Sequence, residues 1–283
     1  MDLCNIEQIK ALLDRHGFRF SKSLGQNFLI DANIPRAIAD ASGADAGTGV
    51  LEIGPGIGPL TVQLAKRADK VASIELDRDL LPILAETLAD YPNTVIIPGD
   101  VMKLDLREVV QSHFEGLVPH VCANLPYNIT TPVLTLLLES GLFRTITVLI
   151  QREVARRICA DPGTGDYGAF SVFCQYHAKT ELLFEVPPEY FIPAPKVTSA
   201  VLRLTPCPAP ECVHDEAFFF RTVRGAFAQR RKTLLNSLGS AYTLPKDELR
   251  AAIQAAGLPE NIRGERLGIE EFARLADELK IRS

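Results

Sequence analysis

The 283-residue sequence predicts an α/β protein: a doubly wound seven-stranded sheet, mostly parallel with an antiparallel strand at its end, followed by a small all-helical domain. Three observations predict this. β-rich runs alternate with segments of helical periodicity through the first two thirds of the chain. Two further β-rich runs are joined by a connection too short for a helical crossover, and everything beyond a proline-rich stretch is helical.

The runs VLEI (50–53), KVASIEL (70–76), TVIIPG (94–99), VPHVCA (118–123) and TITVLIQ (145–151) have the β-branched content of buried strands. Between them lie PLTVQLAKRA, DLLPILAETLAD and TPVLTLLLESG, whose apolar residues recur at helical spacing. Strand, helix and strand repeated in this order build a parallel sheet with helices on both faces. ELLFEV (181–186) and VTSAVLRL (197–204) have only PPEYFIPAPK between them, so they are expected to form an antiparallel pair at the end of the sheet. TPCPAPEC (205–212) carries three prolines and reads as a linker. The expected domains are therefore 1–206 and 207–283. The second contains EAFFFRTVRGAFAQ, RKTLLNSL, KDELRAAIQAAG and IEEFARLADELK.

A hydrophobic content of 47% is that of a chain with a substantial core. The N-terminus MDLCNIEQIKALLD has acids where a signal peptide needs basic residues, and no apolar run approaches the roughly 20 residues of a membrane span. A cytoplasmic protein without a membrane partner is expected. The six cysteines contain no C-x-x-C pair, which suits reduced thiols, and Cys207, Cys212 and His214 match no familiar zinc spacing, so no metal is expected. The net charge of −5 conceals a local excess. Between Phe219 and Gly239 lie Arg221, Arg224, Arg230, Arg231 and Lys232 with no acid, a basic surface suited to phosphates.

Three features converge on one edge of the expected sheet. After the first strand comes Gly54-Pro55-Gly56-Ile57-Gly58, a turn whose glycines permit positive φ and close approach of a ligand. Glu75 closes the second strand, where an acid can accept from both ribose hydroxyls, and Asp100 follows the third. A nicotinamide enzyme would use the same geography. The third glycine, however, comes one residue too early for G-x-G-x-x-G, and the set suits a ligand without phosphate. S-adenosylmethionine fits better. VPHVCA then ends abruptly in Asn124-Leu125-Pro126-Tyr127, three of which an interior strand would avoid, which marks a further site at the same edge.

The stretches LGQNFLID (24–31), LEIGPGIGPLT (51–61), IELD (74–77), GD (99–100), NLPYNITTPV (124–133), PAPKVTSAVLRL (193–204) and FAQRRKTLLNSL (227–238) resemble the KsgA-type ribosomal RNA adenine N6,N6-dimethyltransferases, in the family's order and over nearly the whole chain. The resemblance implies a Rossmann-like methyltransferase sheet, S-adenosylmethionine as cofactor, and dimethylation of two adjacent adenosines in the 3′-terminal hairpin of 16S rRNA. The implied partner is the small ribosomal subunit or its precursor, the implied wider role small-subunit biogenesis, and a monomer is expected. It places cofactor contacts on Asn27, Leu29, Gly54, Gly56, Glu75, Asp100 and Asn124, with the segment that carries Asn27 and Leu29 as a flap.

On the same reading, the Asn124 side-chain oxygen and the Leu125 carbonyl would accept the N–H bonds of the target amine. Pro126 would aim that carbonyl, Tyr127 would stack on the base, and Phe191 would cover its other face unless it is a core aromatic. Arg221, Arg224, Arg230, Arg231 and Lys232 would bind RNA, or form a solvated helix face. The loop 161–172 departs from the family pattern at Gly165 and Phe170, and no RNA contact is carried over to it. Two alternatives on the same fold stay open: a resistance-type methyltransferase acting on 23S rRNA, and a non-enzymatic assembly or transcription factor. The pI of about 5.6 disfavours the first, because those enzymes tend to be strongly basic.

Overall fold

A computed structural model of the chain describes residues 1–20 and 25–283; Leu24, the first residue of the LGQNFLID stretch, lies outside the described residues. In chain order the elements are α1 (Ile6–Arg15), β1 (Phe28–Leu29), α2 (Asn33–Ala41), β2 (Thr48–Ile53), α3 (Pro59–Ala65), β3 (Lys70–Glu75), α4 (Leu81–Thr87), β4 (Thr94–Pro98), α5 (Leu106–His113) and β5 (Val118–Asn124). They continue with α6 (Thr130–Ser140), β6 (Ile146–Gln151), α7 (Arg152–Ile158), α8 (Ala169–His177), β7 (Ala178–Val186), β8 (Phe191–Ile192), β9 (Ser199–Pro206), α9 (Glu216–Phe227), α10 (Leu234–Leu238), α11 (Lys246–Ala255) and α12 (Ile269–Arg282).

Two compact units result, one of Met1–Ala155 with Thr180–Pro206, the other of Arg156–Lys179 with Cys207–Ser283. The first carries a seven-stranded sheet in the order β4-β3-β2-β5-β6-β9-β7. β2 is buried at every position, as the central strand of a doubly covered sheet must be. It pairs in parallel with both β3 and β5, so the strand order reverses there, the switch point at which open α/β sheets bind ligands. The registers Ile53↔Ile74, Glu75↔Pro98 and Asn124↔Leu149 bring the carboxyl ends of β2 to β6 to one edge. The expected antiparallel strand is β9, which runs against β6, with β7 outside it.

Helix boundaries follow local chemistry. Asn5 and Asp105 accept hydrogen bonds from the first-turn amides of α1 and α5, Pro59 occupies the first turn of α3, and left-handed Gly141 ends α6. Among the described residues no helix is long and apolar enough to cross a membrane.

A second, two-stranded sheet was not foreseen in the sequence. β1 pairs antiparallel with β8, Phe28 opposite Ile192 and Leu29 opposite Phe191. The two strands are far too short for their periodicity to register.

The helical unit differs from the expected 207–283 by including residues 156–179. Tyr167, Val172 and Tyr176 are buried in one core with Phe219, Leu238 and Phe272. The Tyr167 hydroxyl donates to the Leu267 carbonyl at 2.9 Å, and the Tyr176 and Phe219 rings lie 5.4 Å apart. The segment sits between strands in sequence, but its aromatic side chains are buried in the same core as residues of α9 and α12.

Candidate functional site: a cleft at the carboxyl ends of the strands

The carboxyl ends of β2, β3, β4 and β5, together with residues 25–29, line a cleft of about 1050 Å³ including its open mouth. Asn27, Leu29, Gly54, Gly56, Glu75, Asp100, Asn124, Leu125, Pro126 and Tyr127 all line it. Ten residues proposed from sequence thus meet in one cavity.

The glycine turn follows from its backbone. Gly54, Gly56 and Gly58 have φ of +69°, +62° and +94°, values that strain any other residue. The Gly54 amide donates to the Ile74 carbonyl at 2.9 Å, clamping the turn to β3. A Cβ on Gly56 would lie 3.1 Å from the Phe28 ring, so the turn also lets the segment 25–30 close over it.

Glu75 is buried, and its Oε1 accepts from the Asp77 amide at 2.7 Å. Burial pushes its carboxyl up to about 7, against the lowering effect of the Asp77, Gly56 and Leu76 amides. Asp100 accepts from the Met102 amide at 3.0 Å, with the Lys103 ammonium 3.7 Å away. Glu52, not singled out in the sequence, forms part of the cleft wall although only 1% exposed. Its Oε2 accepts from Thr61 Oγ1 at 2.6 Å and from Ser73 Oγ at 2.7 Å. Burial raises its carboxyl to about 7 despite these hydroxyls. Its position two residues before Gly54 was the one available signal.

The opposite wall begins where β5 stops. The Leu125 amide still donates to the Leu149 carbonyl at 3.1 Å, after which Pro126 turns the chain into a single 3-10 turn, Tyr127–Ile129. No group among the described residues donates to the Leu125 carbonyl. Asn124 Nδ2 donates to the Asn27 carbonyl at 3.2 Å. That bond settles which end of the amide faces the flap and leaves Oδ1 as an acceptor toward the cleft. The Tyr127 hydroxyl bonds to Ser199 Oγ at 2.6 Å, and burial raises its pKa.

The flap is tied down by several bonds. Gln26 Nε2 donates to Asp77 Oδ2 at 2.7 Å, Asn27 Nδ2 to the Gly25 carbonyl at 3.0 Å, and the Ile30 amide to the Tyr190 carbonyl at 2.9 Å. The ties to Asp77 and Tyr190 leave no mark in the sequence, because each pairs residues from distant segments.

Two of the expected site residues are engaged elsewhere. Phe191 does not line the cleft. It is 3% exposed, pairs with Leu29 in the small sheet and packs in a core with Leu29, Val186 and Val201. Burial beside β9 makes it a core aromatic, not a cover for a base. Arg230 is likewise engaged within its own unit: its guanidinium donates to the Gly165 carbonyl and, at 3.0 Å, to the Tyr167 carbonyl, and pairs with Glu265 at 3.4 Å. Arg221 lies 4.6 Å above the centre of the Tyr242 ring. Arg224, Arg231 and Lys232 are exposed, and no described residue forms an ion pair or side-chain hydrogen bond with them.

Comparison with known proteins agrees with this geometry. A sequence model of the family described as "Ribosomal RNA adenine dimethylase" matches residues 17–280. Proteins named "Ribosomal RNA small subunit methyltransferase A" from Shouchella clausii and Alkaliphilus metalliredigens are 49% and 48% identical. These alignments cover 98% and 96% of this chain, and 96% of each relative. Among solved structures, the 23S rRNA methyltransferase ErmE superposes with a TM-score of 0.67 at 28% identity, over 89% of this chain and 99% of that one. A dimethyladenosine transferase from Plasmodium falciparum gives 0.74 at 24% identity, over 90% and 98%, a likeness of fold.

Proposed function

The chain belongs to the ribosomal RNA adenine dimethylase family, and from that premise we propose that it dimethylates N6 of two adjacent adenosines in the 3′-terminal hairpin of 16S rRNA, as part of small-subunit biogenesis. The observation that carries this reading is the juxtaposition, in one cleft, of the Gly54–Glu75–Asp100 half with the Asn124–Tyr127 half.

The residues present suit S-adenosylmethionine. Glycines at positive φ leave room that a Cβ would fill, and two acids stand at successive strand ends. Gly54 and Gly56 would hold the ligand against the turn, Glu75 would accept from the ribose hydroxyls, and Asp100 would accept from the adenine amine. Asn27 and Leu29 would close the flap over it. When bound, the cofactor supplies a methyl group already activated by its sulfonium, which departs as a neutral thioether.

The chain's own task is to prepare the nucleophile. An adenine N6 lone pair is delocalised into the ring, so the amine must be drawn toward a tetrahedral form before it can attack. Asn124 Oδ1 and the Leu125 carbonyl accept its two N–H bonds and orient the lone pair. Pro126 fixes the direction of that carbonyl, because the residue before proline is kept out of the helical region. Tyr127 stacks on the extruded base, a contact worth about 1–3 kcal/mol. No strong base is needed, since the proton leaves a nitrogen that has become cationic. Arg224, Arg231 and Lys232 bind RNA phosphates, which gives position without base readout.

Action on a large-subunit adenine is the second reading, favoured by the ErmE likeness. The higher identity to small-subunit methyltransferases weighs against it. Methyl-labelled S-adenosylmethionine incubated with unmethylated small and large subunits decides between them. Dimethyladenosine confined to 16S rRNA is expected, and dimethyladenosine in 23S rRNA alone would overturn the proposal.

A further inference from the structure

Ser199 lies outside the cleft and is fully buried. It opens β9, opposite Gln151 at the end of β6, and the preceding Thr198 carbonyl accepts from the Arg152 amide at 3.0 Å. Its place is thus fixed by the antiparallel ladder at the same sheet edge where Asn124 ends β5. The Tyr127 hydroxyl reaches that ladder through Ser199 Oγ at 2.6 Å.

The tyrosine ring is therefore held at both ends. Its Cα is fixed by the turn after Pro126, whose φ and ψ are −56° and 131°, and its hydroxyl is fixed by β9. A ring held at one end can swing about its Cα–Cβ bond. A ring held at both ends keeps its long axis in one place, so its face stays at one position in the wall of the cleft. The bond also satisfies the hydroxyl of a fully buried serine, which would be left unpaired without it.

We infer that Ser199 is a positioning residue for methyl transfer, acting through the Tyr127 hydroxyl to hold the ring where the target adenine stacks. The inference rests on the reading of Tyr127 as the stacking wall. Its effect falls on orientation of the acceptor, not on cofactor binding, whose groups lie across the cleft. It should weigh most on the second transfer, in which the amine already carries a methyl group and has fewer productive poses.

The test compares Ser199→Ala, Tyr127→Phe, the double variant and Tyr127→Ala in the full chain, with unmethylated small subunits as substrate. The readouts are kcat, the ratio of N6,N6-dimethyladenosine to N6-methyladenosine, and cofactor affinity by calorimetry. Ser199→Ala and Tyr127→Phe should each lower kcat by about tenfold and shift product toward the monomethyl form, with cofactor affinity within about twofold. The double variant should be no worse than the poorer single one. Ser199→Ala or Tyr127→Phe with the parent rate and product ratio overturns the inference, as do multiplicative losses in the double variant. If Ser199→Ala does not fold, Tyr127→Phe decides alone. An unimpaired Tyr127→Ala instead overturns the stacking role of Tyr127, a separate failure from impairment of Tyr127→Ala with the two hydroxyl variants intact.

Discussion

Replacing Glu52 with glutamine should make the protein's stability less dependent on pH. In the folded chain burial holds this carboxyl at about 7, against 4.5 for an unperturbed one, with the neighbouring Glu75 charge adding to the rise. The folded value lies above the unfolded one. Below pH 4.5 the group is protonated in both states and costs nothing. As pH rises to about 7 the unfolded chain releases a proton that the folded chain retains, and stability is lost; above about 7 the loss is complete. A rise of this size corresponds to about 3 kcal/mol, most of which falls between pH 5 and pH 8.

Glutamine keeps an oxygen for Thr61 and Ser73 but carries no charge. An unpaired amide NH₂ would add a cost that does not vary with pH, so the informative quantity is the change with pH in the difference between variant and parent. The chain contains no tryptophan, and urea melts followed by far-ultraviolet circular dichroism at pH 5 and pH 8 supply the measurement. The variant should gain about 2–3 kcal/mol on the parent between these two values. A difference unchanged to within about 0.5 kcal/mol would refute the assignment of Glu52 as the buried titrating group.

Further outcomes are expected at the site and in the helical unit. Asn124→Ala should abolish methyl transfer while cofactor affinity, read by calorimetry, stays within about tenfold or 1.4 kcal/mol; full activity would remove Asn124 from the mechanism. Gly56→Ala must both adopt φ of +62° and push against the Phe28 ring, so it should cost about 1–3 kcal/mol in thermal or urea melts and weaken cofactor binding. Arg224→Ala with Arg231→Ala and Lys232→Ala should weaken RNA binding and flatten its dependence on salt, by about one in log–log slope for each phosphate that is no longer neutralised. Arg230→Ala, by contrast, should lower the melting temperature, because it strips the Gly165 and Tyr167 carbonyls of their donor.

The sheet was legible because its strands are buried runs and its helices amphipathic, both of which leave periodic marks in the chain. One wall of the cleft was legible for a related reason: a glycine turn and acids at strand ends are local motifs, and Gly54, Glu75 and Asp100 fall within them. What could not be read are the bonds between distant segments. Gln26 to Asp77, Asn124 to Asn27 and Tyr127 to Ser199 each join residues whose sequence neighbourhoods supply no reason for the pairing. Arg230 shows the converse. Its place in a basic run suggested phosphate, whereas two carbonyls of residues 165–167 claim its guanidinium. The same long-range packing drew residues 156–179 into the helical unit although strands flank them in sequence.

The group that orients the Asn124 amide is the peptide carbonyl of Asn27, not a side chain. Side-chain replacement leaves that carbonyl in place, so an alanine scan of 25–30 would report ligand contacts and be blind to the orientation of the amide. Replacing the Asn27 side chain would leave the carbonyl itself present, whereas losing Gln26 would remove the tie to Asp77 that holds the segment carrying it. Inserting or deleting a single residue between Gly25 and Ile30 would move the carbonyl out of reach. The length of this segment is thus part of the geometry that turns the Asn124 amide.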